Sequence, residues 1–272
     1  MATSRSSPPA PDLQTGGFAV NGHSLHWQRA GDPAHPAVVL LHHGLGSTRA
    51  WKAQTADFAG RGWQVLAYDR WGYGRSSARP ALDLLPGFGA DVDDLAALLD
   101  DRGLRRAALV GHSDGGTVAL YFAARFPDRV TALVAVAAHI YLEASMLPGM
   151  LALRQAFEND ARFRQGMQRA HGENTDAVFR NWYQGWVRPD YLGWDMRPML
   201  DSVRCPVLVI QGEMDEHATP QHARDLAEHV AHGELWLVPG AGHMLPQDKP
   251  ADFNRRVLEF LEPARAAGSR GS

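Results

Sequence analysis

The sequence predicts an α/β fold: a mostly parallel sheet of eight strands with helices on both faces, and a helical cap inserted after the sixth strand. Three observations predict it. Six short apolar runs lack the alternation of a half-exposed strand, so both of their faces should be buried, as in a parallel sheet. Helical patterns separate most of them. One long stretch, residues 139–204, breaks the rhythm with no strand signal.

The elements follow in order. Residues 1–16 are polar and proline-rich, carry no apolar signal core, and read as a flexible tail. In residues 18–31 an Asn21-Gly22 pair separates two alternating segments, the signature of an antiparallel hairpin at a sheet edge. The apolar runs are residues 37–41, 65–68, 107–110, 132–136, 207–210 and 235–238. Residues 91–103 have apolar side chains at helical spacing and end at Gly103; residues 116–127 end at Pro127; residues 221–233 and 250–263 also read as helices. The stretch 139–204 is rich in Met and Trp (Met146, Met150, Met167, Trp182, Trp186, Trp194, Met196, Met199). Such residues pack a cap onto the body, and over a cleft they also make an apolar roof. The expected organisation is a core of residues 17–138 and 205–263, a cap of 139–204, and flexible tails at 1–16 and 264–272.

Composition narrows the function. The 272 residues are 45% hydrophobic and 21% charged, as in an ordinary soluble globular protein. A net charge of -3 and the lack of a Lys/Arg block argue against nucleic-acid binding. The single cysteine, Cys205, excludes an internal disulfide framework and a Cys-based zinc site, and its apolar surroundings give it a structural role. No apolar stretch reaches the roughly 18 residues of a membrane span, so the expected location is cytoplasmic, with no membrane partner. Oligomeric state has no signature in the sequence.

The chemistry gathers at "LVGHSDGGTVAL", residues 109–120. Gly111-His112-Ser113-Asp114-Gly115 is a G-x-S-x-G motif that follows a predicted strand and opens a predicted helix. A serine on such a turn presents its hydroxyl at the carboxyl end of the sheet, and the next amide, that of Asp114, points at a developing oxyanion. Serine needs a base. "VPGAGHMLPQDKP" places His243 between the last strand and the last helix. The base needs an orienting acid, and "VLVIQGEMDEHATP" offers Asp215, with Glu213 and Glu216 as rivals. Adjacent His42 and His43 diverge on a strand, no Asp/Glu/His set has metal spacing, and so no metal is assigned. His112 packs beneath the turn. Trp51 either stacks on substrate or covers the core.

On these residues the chain resembles the α/β-hydrolase fold superfamily of serine hydrolases, in the order Ser113, Asp215, His243 and over about Gly17 to Pro263. "LLHHGLGSTRAW" resembles the family's H-G-x oxyanion loop, which implies that Leu45 supplies the second oxyanion amide and that His43 and Gly44 shape the turn. "YDRWGYGRS" resembles its D-x-R-G-x-G-x-S segment, with the arginine one place early at Arg70 and Trp71 in its usual position. That segment is structural, so the displacement is expected to matter little. It is not a nucleotide loop, since Ser77 stands where the third glycine belongs and no Walker lysine follows.

The expectation is an esterase-like serine hydrolase without a cofactor, acting on small or medium carboxylic esters through an acyl-enzyme. The alternatives are cleavage of C–C bonds in ring-cleavage products and a non-catalytic binding scaffold. A serine nucleophile argues against epoxide hydrolase and haloalkane dehalogenase activity, which in this fold resemble aspartate-dependent enzymes. Asp114, Trp51, Trp182 and Trp186 are the candidate substrate contacts. For the Asp114 carboxylate two readings stand: it supports the start of the following helix, where an acid gains about 0.3–1 kcal/mol, or it receives a cationic group of the substrate. Some family members acting on amino-acid esters have an acid there.

Overall fold

The computed structural model describes residues 12–80, 88–143, 145–191 and 193–268. In chain order the elements are β1 (Gln14–Val20), β2 (His23–Ala30), β3 (Ala37–Leu41), α1 (Lys52–Gly60), β4 (Gln64–Tyr68), α2 (Gly89–Asp101), β5 (Ala107–His112), α3 (Asp114–Arg125) and β6 (Val130–Val136). There follow α4 (Met146–Asn159), α5 (Ala161–His171), α6 (Thr175–Trp186), α7 (Arg197–Leu200), β7 (Val207–Gly212), α8 (Pro220–His229), β8 (Gly233–Val238), α9 (Leu245–Asp248) and α10 (Pro250–Gly268). The eight strands form one sheet in the order β1-β2-β4-β3-β5-β6-β7-β8. Only the β1–β2 and β2–β4 pairings are antiparallel.

The continuous apolar runs have the cause expected of them. Alternate side chains of each central strand enter opposite cores. Val39, Leu41, Leu109, Leu133 and Val209 pack with α2, α3 and α8 on one face. Val38, Leu40, Val110, Val134 and Ile210 pack with α1 and α10 on the other. Helices therefore cover both faces, and no helix among the described residues is long and apolar enough to cross a membrane.

Strand order positions the site. From β3 the chain goes to β4 on one side, then crosses to β5 on the other. Loops leaving β3 and β5 thus part at the carboxyl edge, opening the crevice that α/β sheets use for ligands. The loops after β3, β5, β7 and β8 carry Leu45, Ser113, Asp215 and His243 to that one edge.

The expected flexible tails need correction at both ends. Gln14–Gly16 belong to β1, paired with Trp27–Arg29 of β2. Gly16 lies under the Trp27 ring, where a Cβ would come within 2.5 Å, and the Gln14 side chain accepts from Arg29. Residues 1–11 lie outside the described residues. At the other end α10 continues through Pro263 to Gly268, and 269–272 lie outside. The helix expected over 221–233 stops at His229, because Gly233 already pairs with Val207 in the sheet. The hairpin turn matches its signature: Asn21 and Gly22 both have positive φ, 46° and 84°. Asp94 of α2 fixes this edge through His23 Nε2 at 2.8 Å.

Between β6 and β7 the described residues hold α4–α7 and no strand of the sheet; a single bridge joins Tyr141 to Asp195. Its apolar residues divide into two sets. Met196 is buried in the first core, with Trp194 and Met199 packed against it. Met146, Met150 and Trp186 form a separate cluster with Tyr191, and Met167 another with Phe157 and Phe179. Cys205 is buried, and burial pushes its thiol up to about 11.

Phe122 of α3 is fully buried in the core between that helix and the sheet. Phe122→Ala should lower unfolding free energy by about 3–5 kcal/mol, read from equilibrium urea denaturation; a loss below about 1 kcal/mol would contradict this packing.

Candidate active site

The Ser113 turn is forced by contact between backbones. β5 passes directly into α3, and Ser113 at the junction takes φ 55° and ψ −121°, a left-handed conformation that costs a non-glycine residue about 1–3 kcal/mol. Its neighbours must lack side chains. A Cβ on Gly111 would sit 2.2 Å from the Gly115 carbonyl oxygen, and one on Gly115 would sit 2.2 Å from that of Leu41. β3, β5 and α3 thus close on one another at van der Waals distance. The Ser113 amide donates to Val136 O at 2.8 Å, which ties the turn to β6.

His243 is held by Asp215. Its Nδ1 lies 2.9 Å from Oδ2 and 3.0 Å from Oδ1 of Asp215, whose side chain has no exposed surface. Facing a carboxylate, Nδ1 must carry the proton, and Nε2 is left free to act as a base. The carboxylate also accepts from Gln211 Nε2 at 2.7 Å and from the His217 amide at 2.8 Å. Burial alone would raise the Asp215 carboxyl. The bonds from His243 and His217 more than offset it and hold the group below its ordinary value.

The three acids left open by the sequence have separate fates. Asp215 is the one that reaches the imidazole. Glu216 is 58% exposed at its side chain and accepts the backbone N–H of His243 at 3.2 Å. Glu213 is exposed.

Ser113 and His243 line a cavity of about 440 Å³. Leu45 and Asp114 line it too, and their amides donate to no group among the described residues. The walls from the β6–β7 insertion are mostly apolar, with Met146, Met150, Met167, Trp182 and Trp186 among them and Arg162 as their charged side chain. Trp182 and Trp186 therefore stand where substrate contacts were expected. Trp51 does not. It is fully buried against Phe253 on the far side of His112 and borders no part of the cavity, which leaves its core reading.

Histidines surround the site and stay neutral. Burial pushes His43 and His112 far below the ordinary imidazole range, and His139 down to about 3. The His112 ring lies 5.1 Å from that of His243, and its Nε2 is 2.9 Å from the His243 carbonyl oxygen, beneath the turn as expected. His42 and His43 do diverge: His42 Nε2 accepts the Arg70 amide at 3.1 Å, while His43 faces the cavity. His171, at the end of α5, has its Nδ1 on the Gly74 amide at 2.9 Å and its Nε2 3.0 Å from Leu45 O. It clamps the insertion to the loop that holds Leu45.

Asp114 sits in the first turn of α3 and lines the cavity, the placement both of its readings require, but no hydrogen bond among the described residues joins its side chain to the helix start. Its carboxylate instead faces Arg70, with Oδ2 3.6 Å from Nη2, both groups almost fully buried. Arg70 also stands 3.6 Å from Asp91, and Arg79 stands 3.4 Å from the same acid. Burial pushes the Asp114 carboxyl above its ordinary value, against the pull of Arg70. The early arginine therefore matters more than its segment suggested: one residue of displacement sends it inward to the acid beside Ser113. The motif mismatch at Arg70-Trp71 was the signal for it in the sequence. Gln211, four residues before Asp215, had none.

Comparison with known proteins agrees with this architecture. The α/β hydrolase fold family matches residues 36–192. The chain is 31% identical to the serine hydrolase BPHL of Mus musculus over 250 residues, 90% of this chain and 85% of that one. It is 28% identical to the bifunctional esterase/perhydrolase DCH of Acinetobacter calcoaceticus, covering 84% of this chain and 93% of that one. The solved structure of a 2-hydroxy-6-oxo-6-phenylhexa-2,4-dienoate hydrolase from a Rhodococcus strain superposes with a TM-score of 0.77 at 20% identity, over 93% of this chain and 99% of that one. At that identity the likeness speaks for the fold alone.

The Arg70 network sets an expectation. Arg70→Met leaves two buried carboxylates short of a counter-charge and should cost about 3–5 kcal/mol at neutral pH. Asp114, already raised by burial, can shed its charge by taking a proton, so the deficit should shrink as pH falls. Urea denaturation at pH values on either side of neutrality reads both effects; a variant as stable as the parent at neutral pH contradicts the pairing.

Proposed function

The chain belongs to the α/β-hydrolase fold family and is a hydrolase, and from that premise we propose that it cleaves carboxylic esters of small or medium size through a serine acyl-enzyme. One observation carries the reading: a strained Ser113 opens onto the same cavity as a histidine whose Nδ1 is fixed by a buried carboxylate.

The steps follow from the geometry. Ser113 Oγ attacks the ester carbonyl carbon while His243 Nε2 takes its proton. Asp215 holds the imidazole in the tautomer this requires and offsets the charge it gains. Negative charge moves to the carbonyl oxygen, and the unpartnered amides of Leu45 and Asp114 are the donors for it. The tetrahedral intermediate collapses, and the alcohol leaves with the proton from His243. Water, deprotonated by the same nitrogen, attacks the acyl-serine and releases the acid. Ester and water alone balance these steps. The apolar side chains of Met146, Met150, Met167, Trp182 and Trp186 suit the hydrocarbon of an ester.

Two experiments test this. A fluorophosphonate probe should label the parent and leave Ser113→Ala unlabelled, and Ser113→Ala should lose on the order of 10⁴-fold in ester turnover while keeping its fold. Labelling with activity on ring-cleavage dienoates and none on aryl esters would shift the reading to C–C cleavage; absence of labelling would make the chain a binding scaffold.

Asp215→Asn should lower kcat by about 10³- to 10⁴-fold with little change in KM, because the wrong histidine tautomer results. Glu213→Gln and Glu216→Gln should cost far less. Greater damage from either glutamate change, in steady-state kinetics on one aryl ester, would displace Asp215 from this role.

A further inference from the structure

Behind the Asp114 carboxylate lies a second, smaller chamber of about 40 Å³, walled by Arg70, Asp91, Asp114, Asn181, Trp182 and Tyr191 among others. At roughly 10–15 Å³ per water it has room for about three or four waters, or for one small polar group. Asp114, Trp182 and Trp186 border both this chamber and the cavity that holds Ser113. Gly44 makes the junction possible: a Cβ there would lie 2.0 Å from Trp182 Nε1 and 2.7 Å from Asp114 Oδ2.

The chamber is partly open, walled by aromatic as well as charged side chains, and incompletely bonded. Arg70 Nε and Nη2 and Trp182 Nε1 are buried donors without a hydrogen-bond partner among the described residues. Asp91 Oδ1 and Asn181 Oδ1 are acceptors in the same condition, and the Tyr191 hydroxyl can do either. Arg70 is 1% exposed and Tyr191 4%. The charged pairs stand 3.4–3.6 Å apart, wider than the roughly 2.7–2.9 Å of a tight charged hydrogen bond. Leaving such atoms unpaired is costly, so the chamber suits a guest that both donates and accepts.

Charge narrows the guest further. Arg70, Arg79, Asp91 and Asp114 sum to zero. An ammonium group accepts nothing and would enter beside two guanidinium groups. A carboxylate donates nothing and would enter beside two carboxylates. A methyl group would pair with none of the orphaned atoms. A hydroxyl or a primary carboxamide donates, accepts and adds no charge. Neither Ser113 nor His243 borders the chamber; Asp114 does, and its amide serves the acyl carbonyl oxygen in the ester reading, so the acyl part faces it.

We propose that this chamber is a substrate subsite for a neutral hydrogen-bonding group, a hydroxyl or a primary carboxamide, carried next to the carbonyl on the acyl part of the ester. The proposal rests on the ester-hydrolase reading and names its substrate class.

Four phenyl esters of one propanoyl skeleton test it, bearing hydroxyl, methyl, ammonium or carboxylate at carbon 2, assayed near pH 6.5 so that the amine, with a pKa of about 7.7–8.0, is charged. The hydroxyl ester should have the highest kcat/KM, about 10-fold or more above the methyl ester and further above the charged pair. Tyr191→Phe and Asn181→Leu should each bring the hydroxyl-to-methyl ratio several-fold toward one. A methyl ester equal to the hydroxyl ester overturns the proposal and leaves the chamber to structural water. A preference for the ammonium ester overturns it in favour of a cation site at Asp114, and ratios unmoved in both variants overturn it too. Hydrolysis of none of the four would count against the ester reading itself. Binding of the same four to Ser113→Ala, followed by tryptophan fluorescence, then decides the subsite separately: tightest binding by the hydroxyl ester supports it, and any other order overturns it.

Discussion

Close approach of three backbones at the Ser113 turn is the constraint on which the rest of this structure depends. β5, β3 and α3 meet with no room for a Cβ at Gly111 or Gly115, and the strain concentrates in one left-handed serine. That conformation survives because both flanks are over-determined, by the sheet on one side and by the packed helix on the other. The same turn sets the direction of the hydroxyl, the direction of the Asp114 amide, and the depth at which the Asp114 side chain enters the protein. Shifting it would move all three together.

Around this turn the neighbouring histidines are kept from carrying positive charge. His43, His112 and His139 crowd the base, yet burial keeps them neutral. The Nδ1 of His243 faces a carboxylate that is kept ionised by four donors: the imidazole itself, the Gln211 amide group and the backbone N–H groups of His217 and Ala218. The arginines are set apart behind Asp114, where their charge is balanced by two acids and does not reach the reacting centre unscreened.

The helical insertion is more than a cover. Its apolar side chains close one wall of the cavity, and His171 joins it to the Leu45 loop and the Gly74 loop through the two nitrogens of one ring. The position of the loop that carries the Leu45 amide is therefore coupled to the seating of the insertion. Motion of α5 would be felt at Leu45 through the His171 ring and through the packing of Leu45 on the Met167 cluster.

Sequence by itself determined the sheet, the layering and two of the three principal side chains, Ser113 and His243. The strands were legible because burial on both faces leaves a continuous apolar run, and Ser113 and His243 were legible because a strand-to-helix turn and a loop after the last strand are local patterns. The hairpin turn was legible for the same reason, since Asn21-Gly22 is a property of adjacent residues. Choosing Asp215 over Glu213 and Glu216 needed the fold: three acids within four residues differ only in which one the β7 loop aims inward. Trp51 was ambiguous because an aromatic ring covers a core and a ligand equally well until its neighbours are known. The ends of the chain were misjudged because Gln14–Gly16 are small or polar residues ordered by pairing with β2, and Arg265–Gly268 continue α10 past a proline that reads as its stop. Arg70 is the sharpest case. Its displacement was visible, but its partners lie 21 and 44 residues further along, in Asp91 and Asp114, and only the folded chain brings a guanidinium and two carboxylates into one buried chamber.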